Sequence, residues 1–426
     1  MLFDYLNDDL ILANSIDSEL YKTLDVKRGL RNADGSGVLA GLSKISSVMG
    51  VDQLSGSNDP IDGVLKYRGV SIDDLVQSLG SGERFESVIF LLLIGRQPTN
   101  DELTMMNQFL FENRQLSREL INQIRSLPSK NIMNKLQTVV SSMYVLDGDP
   151  ETLDPMKNFY KSLFIISKLP YVVAVSYLFA YETNPTIVSP LPGMGTAESL
   201  LYILRQGVRP SLFEIEILDL ALMLHAEHGG GNNSSFTTYV VTSAGTDIYG
   251  TITAALGSLK GPLHGAANKK VMDMMSDIKA NVSDWKNSLE VSSYLKKIIN
   301  KEAGDGSGKL YGLGHAVYTK SDPRATLLKM EAKKLANQVN RMDEFELYCL
   351  IADIGPKAFY DVKKSDKIIS PNVDFFSGFV YDCLKIPVQV YTPIFAIART
   401  VGWCAHRIEE ILSGKRVIRP KYKFVK

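Results

Sequence analysis

Three features of the 426-residue sequence predict an all-α fold: a large helical domain, a smaller helical domain inserted into it, and minor β structure near the N-terminus. Apolar residues recur at helical spacing, with capping signals, across most of the chain after residue 70. Strand-like texture, in which glycine and serine separate short β-branched or apolar runs, is confined to Gly35–Gly69. From Lys269 to about Lys367 the chain turns lysine-rich before apolar density returns at Phe375. That shift suits an inserted unit of roughly a hundred residues.

The elements follow in order. Residues 1–30 are mixed and helical in part, and Ile45–Val48 and Val64–Tyr67 are expected to pair as a small hairpin. Ser71 with Asp74 has capping-box spacing, and Gly80 can end the helix opened there. Phe85–Ile94 reads as a buried helix stopped by Gly95, and Thr99 with Glu102 opens a helix running to about Asn113. Helical patterns continue over Asn131–Val145, Asp154–Ser167 and Pro170–Tyr181, the last two parted at the proline. Proline and serine mark a surface loop from Pro185 to Pro192. Phe213–Leu224 is apolar on most faces, as a largely buried helix is. Ile248, Ile252, Leu256 and Leu259 form one stripe on the next helix. Charged helices are expected at Val291–Asn300 and Ala325–Val339, with Gly304–Gly314 as a mobile loop between them.

Composition narrows the function classes. Apolar content of 45% and charged content of 22% are those of an ordinary globular protein. Lys plus Arg and Asp plus Glu balance at 47 each, so no global field favours nucleic acid or an anionic membrane. The tail is the exception, with Lys415, Arg416, Arg419, Lys421, Lys423 and Lys426 and no acid. Cys349, Cys383 and Cys404 are odd in number and far apart, which fits reduced thiols. The first twenty residues carry Asp4, Asp8, Asp9 and Glu19 and no arginine, so no transit peptide or signal sequence is expected. Apolar runs such as Tyr171–Tyr181 are too short to cross a bilayer. The expectation is a cytoplasmic protein that binds neither membrane nor nucleic acid.

Three of the five histidines, His225, His228 and His264, fall in the stretch 222–268. His225 and His228 lie a turn apart near a helix end, but no third ligand stands at metal spacing and H-E-x-x-H is absent, so no metal is expected. The other reading makes one of them structural and the other a hydrogen-bonding partner of a ligand, with glycines after them for close backbone approach. His264 sits between Gly261-Pro262 and Gly265-Ala266-Ala267, where a helix is expected to start. A helix N-terminus would lower its pKa and make it a neutral donor that polarises a carbonyl; the alternative is a buried turn histidine. His315 follows Tyr311-Gly312-Leu313-Gly314 and precedes Asp322-Pro323-Arg324. Gly306-Ser307-Gly308-Lys309 fails as a phosphate loop because Ala303 and Leu310 replace its glycine and hydroxyl residue. Asp374, between Asn372 and the aromatics Phe375 and Phe376, is either a general base raised by desolvation or a helix N-cap held low. Arg399 and Arg419, taken singly, read as surface charges or salt-bridge partners.

Together, LHAEHGGGNNSSFT, GPLHGAAN, GLGHAVYTKSDPRA, PNVDFFSG, ARTVGW and IRPK resemble the citrate synthase family, in its order and near its spacings. The resemblance implies a nearly all-α homodimer, with a large domain at 1–274 and 386–426, a small domain at 275–385, and the active site in the cleft. It implies His264 as the enolising acid, His315 as the group polarising the ketone, and Asp374 as the catalytic aspartate. His228, Arg324 and Arg399 match the oxaloacetate contacts, with Arg419 reaching in from the partner subunit. Tyr311, Gly312, Leu313, Gly314, Asn372 and Lys367 match the coenzyme A contacts. No cofactor is implied, since acetyl-CoA is a substrate. The implied reaction condenses acetyl-CoA with oxaloacetate and hydrolyses the thioester to citrate and CoA; 2-methylcitrate synthesis from propionyl-CoA is the alternative. Leu313 departs from the family's usual residue between the two glycines, and no tyrosine-glycine ending or extra regulatory N-terminal domain is seen.

Overall fold

A computed structural model describes residues 4–32, 35–52, 59–265, 267–365 and 368–425. Residues up to Leu42 form one compact unit and Ser43–Lys426 a second. The first holds two short helices, α1 (Asn7–Asn14) and α2 (Ser18–Thr23). The second begins with an antiparallel sheet of β1 (Ser46–Val51), β2 (Pro60–Tyr67) and the two-residue β3 (Val70–Ser71), in that spatial order. Ser46 faces Tyr67 and Val48 faces Leu65, so the expected hairpin is present, with a third strand added.

Helices make up most of the rest: α3 (Ile72–Ser78), α4 (Arg84–Ile94), α5 (Asn100–Arg114), α6 (Arg118–Ser126), α7 (Ile132–Ser142), α8 (Pro155–Tyr181) and α9 (Thr196–Leu204). They continue with α10 (Leu212–His225), α11 (Asn233–Ser243), α12 (Ile248–Lys260), α13 (Ala267–Asn281), α14 (Ser288–Ile299), α15 (Pro323–Gln338), α16 (Met342–Lys363), α17 (Val373–Cys383) and α18 (Tyr391–Ser413). Local chemistry sets many boundaries. Ser71 Oγ accepts from Asp74 N at 3.1 Å, and Thr99 and Glu102 form the full reciprocal box of α5. Gly95 stops α4 in the left-handed region at φ 99°, which glycine adopts without Cβ strain.

The helix at 155–181 corrects two expectations. It runs unbroken through Pro170 rather than parting there. The proline removes one backbone donor, at about 3 kcal/mol in a helix interior. Ile166, Leu169, Val172 and Val173, all buried around it, offset that loss by packing. At 27 residues this helix is also long and apolar enough to cross a bilayer, contrary to the estimate from its two halves. Yet 78% of its apolar window is buried inside the protein, where it packs on α5, α7, α9 and α18 as the core helix. Cys349, Cys383 and Cys404 are free thiols.

The sheet has a specific task. From β2, the Tyr67 hydroxyl lies 3.1–3.3 Å from the carbonyls of Met223, Leu224 and Glu227, holding the end of α10. Thr319 Oγ1 donates to Gly50 O at 2.8 Å, and Gly63 N donates to Ser321 O at 3.1 Å. A Cβ on Gly50 would stand 2.2 Å from Val317 O, so only glycine permits that approach. One small sheet thereby fixes both the 225–229 turn and the 315–321 loop.

Candidate active site

Those two segments face a cavity of about 160 Å³. His225, His228, His264, His315, Arg324, Asn372, Asp374 and Arg399 all line it, so residues up to 174 positions apart meet in one place. Tyr381, Tyr391, Thr392, Phe395 and Leu259 form the apolar part of the wall.

Asp374 is at the second position of α17. The N-cap is Asn372, whose Oδ1 accepts from Asp374 N at 3.0 Å while its Nδ2 donates to Gly314 O at 2.9 Å. The capping reading of Asp374 therefore fails. Among the described residues its carboxyl has no hydrogen-bond partner, and enclosure pushes its pKa up to about 6, against Arg324 and with help from Asp322.

His315 has a readable tautomer. Its Nδ1 accepts from Val317 N at 3.0 Å and Tyr318 N at 3.1 Å, which places the ring proton on Nε2. Burial, then Arg324, bring its pKa down to about 4, so the ring is a neutral donor. His264 is neutral for a related reason, held at about 4 by burial and by Arg399. It lies just before α13, which is described from Ala267, in a turn in which its N–H and that of Gly265 return to Gly261 O. The Ser234 hydroxyl lies 3.0 Å from His264 Nε2 and 3.1 Å from Ser258 Oγ.

The cations are arranged differently from one another. Arg324 is clamped by Asp322, Nε to Oδ1 at 3.0 Å and Nη2 to Oδ2 at 2.8 Å, leaving Nη1 outside the pair. Arg399 donates Nε to His225 O at 2.7 Å and lies over the Phe395 ring at 4.5 Å. Its Nη1 is buried and has no partner among the described residues. Burial lowers its pKa to about 10, so it is still charged at neutral pH. A buried, incompletely paired guanidinium is costly unless an anion arrives. His228 completes this end: its Nε2 is 3.1 Å from the Tyr318 hydroxyl, and its ring stands edge-on to His315 at 5.0 Å.

The remaining expected residues lie apart. Gly312 and Gly314 belong to a loop stitched to 370–372 by Gly314 N to Ser370 O at 2.7 Å and Asn372 N to Gly312 O at 2.8 Å. A Cβ on Gly312 would meet Phe375 and Val271 at 2.8 Å, so packing against those side chains demands that glycine. Leu313 packs towards Gly355 on α16. Tyr311 faces a second cavity with Lys270, Lys309 and Asp305, and its hydroxyl bonds Asp305 at 2.7 Å. Arg419 is exposed on the segment after α18 and does not line the cavity of its own chain. Lys367 lies outside the described residues. Two residues went unnoticed in the sequence. Ser234 was hidden in a polar run whose only signal is its place in the first turn of α11. His406, the fifth histidine, is buried on α18 against Glu227.

The family described as citrate synthase, C-terminal domain, matches residues 33–421. The chain is 36% identical over 387 residues to citrate synthase 2 of Bacillus subtilis, covering 90% of this chain and 93% of that protein. It is 32% identical over 402 residues to 2-methylcitrate synthase 1 of Corynebacterium glutamicum, covering 93% and 94%. Among solved structures, a ternary complex of carboxymethyl coenzyme A and oxaloacetate with the citrate synthase of Thermoplasma acidophilum superposes with a TM-score of 0.77. That likeness has 27% identity and covers 94% of this chain and 96% of the other. A match this long, over the residues that build the cavity, means that the chain belongs to the citrate synthase family of acyl-transferring enzymes.

Proposed function

We propose that the cavity condenses acetyl-CoA with oxaloacetate and hydrolyses the resulting thioester, giving citrate and CoA. One observation carries the reading. A carboxyl with a pKa of about 6 shares a cavity with neutral imidazoles and a buried guanidinium, and among the described residues neither the carboxyl nor the guanidinium Nη1 has a hydrogen-bond partner.

Asp374 takes a proton from the thioester methyl. The pKa mismatch is large, at about 1.4 kcal/mol per unit, so the enolate oxygen needs a donor as it forms. His264 supplies that donor. The enol carbon attacks the ketone carbon of oxaloacetate, whose oxygen His315 polarises with Nε2–H and then protonates. Water next attacks the thioester carbonyl, the C–S bond breaks, and CoA leaves as the thiol. Arg324, Arg399 and His228 bind the dianion, guanidinium forks matching its carboxylates. A second copy of the chain contributes Arg419, in a homodimer. Tyr311, Gly312, Leu313, Gly314, Asn372 and Lys367 form the coenzyme A contacts. Residues 275–385 act as a small domain that closes over the substrates: they carry His315, Arg324 and Asp374, whereas His228, His264 and Arg399 come from the flanking segments. The free thiols support a reducing location, the cytoplasm.

Propionyl-CoA is the second reading, favoured by the C. glutamicum relative. Comparing kcat/KM for the two acyl-CoAs separates them. Acetyl-CoA is expected to be preferred by about tenfold or more, or ~1.4 kcal/mol, and the opposite preference overturns the assignment.

The pH dependence follows from Asp374. Its carboxylate is the active form and is lost as pH falls through about 6. His264 and His315, held near 4, stay neutral across that range. The pH profile of kcat/KM is expected to show a single-proton acid limb near pH 6 that is missing in Asp374→Asn. A limb that survives in the variant assigns it to another group.

A further inference from the structure

His406 lies outside the cavity, fully buried, on the stripe of α18 that also carries Arg399 and Gly402. That stripe lies on the His225–Gly229 turn. Arg399 Nε donates to His225 O at 2.7 Å, Gly402 N donates to Ala226 O at 3.2 Å, and His406 Nε2 is 2.9 Å from Glu227 Oε1. A Cβ at position 402 would stand 2.0 Å from Glu227 Oε2, so the glycine is what lets the helix come so close. Glu227 Oε1 also accepts from Ser46 Oγ at 2.9 Å and from Gly229 N at 2.5 Å.

The hydrogen-bond inventory fixes the protonation of His406. On its other side Nδ1 is 2.7 Å from the Tyr239 hydroxyl, which donates to Glu409 Oε2 at 2.6 Å. Tyr239 has one proton and gives it to Glu409, so His406 Nδ1 is the donor to Tyr239 and Nε2 the donor to Glu227. Both ring nitrogens carry hydrogen. Electrostatics agree: burial opposes the charge, Glu227 and Glu409 together outweigh it, and the pKa is raised to about 9.

Glu227 thus stands between two cations, His406 and Arg399. Among the described residues its Oε2 has no hydrogen-bond partner, and neither has Arg399 Nη1. Were the His406 charge absent, the whole field of Glu227 would fall on Arg399 and compete with a bound carboxylate. We propose that His406 is a positioning residue for the dianionic substrate: as a buried imidazolium it holds Glu227, and so keeps the His228 turn in place and the Arg399 guanidinium open to oxaloacetate.

This rests on the oxaloacetate reading of the cavity. The test is oxaloacetate binding by titration calorimetry, alongside steady-state kinetics, for wild type, His406→Asn and the double variant Glu227→Gln/His406→Asn. His406→Asn is expected to raise the oxaloacetate Kd and KM tenfold or more, with the acetyl-CoA KM within about twofold of wild type. Removing the Glu227 charge as well is expected to recover at least threefold of that loss, which a purely structural role does not allow. Unchanged Kd in His406→Asn overturns the inference. So does a loss that spreads to both substrates, lowers Tm and is not recovered in the double variant. A wild type that neither binds oxaloacetate nor releases thiol overturns the reading of the cavity as well; a competent wild type with competent variants overturns this inference alone.

Discussion

Replacing Asp374 with Asn is expected to lower kcat by about 10⁴-fold, the upper end of what a placed general base contributes, while oxaloacetate affinity stays within about twofold. The geometry makes this a clean substitution. The carboxyl accepts no hydrogen bond from the described residues, so the amide breaks none. The cap of α17 acts through the backbone N–H of residue 374 and persists. Ionising this enclosed carboxyl is disfavoured by burial, so the neutral amide is expected to hold or raise Tm. Oxaloacetate binding by calorimetry, with thermal unfolding, separates lost base from lost fold. A near-normal kcat removes Asp374 from the proton transfer.

His264→Ala has the next largest expected effect, a fall in kcat of about 10²–10³-fold, typical of losing one donor at a developing oxyanion. Its imidazole is neutral because burial and Arg399 disfavour the charge, so it works as a hydrogen-bond donor. The enolate is the species that needs it, so kcat and kcat/KM for acetyl-CoA are expected to fall together. The dianion end, built from Arg324, Arg399 and His228, is untouched, and oxaloacetate Kd is expected to stay near that of wild type. A rise in oxaloacetate Kd with kcat preserved would place His264 at the other substrate.

The sequence reveals what is decided locally. The box of Thr99 and Glu102, the stop at Gly95 and the buried stripe from Ile248 to Leu259 act within a turn or two of chain, and the structure matches them. Pro170 was misread because the rule that proline breaks helices is local, while the packing that overrides it comes from α5, α7, α9 and α18. His264 was expected to be neutral, and is, with burial and Arg399 lowering its pKa. Asp374 had two local readings, and only the position of Asn372 as N-cap decides between them.

The site itself was legible through its motifs, not through any spacing rule. No periodicity brings His228, His315, Asp374 and Arg399 together; six short motifs in the family's order do. What escaped was support at long range. His406 reads as an ordinary helix residue until α18 lies against Glu227, 179 positions earlier in the chain. Gly402 likewise looks like a weak point in a helix and is the contact that admits Glu227.

Thiol release from acetyl-CoA tests the central claim most directly. Purified protein with acetyl-CoA and oxaloacetate is predicted to release CoA thiol over many turnovers, one per citrate formed, and to release almost none without oxaloacetate or as Asp374→Asn. No thiol from the wild type, or release by Asp374→Asn at the wild-type rate, contradicts it.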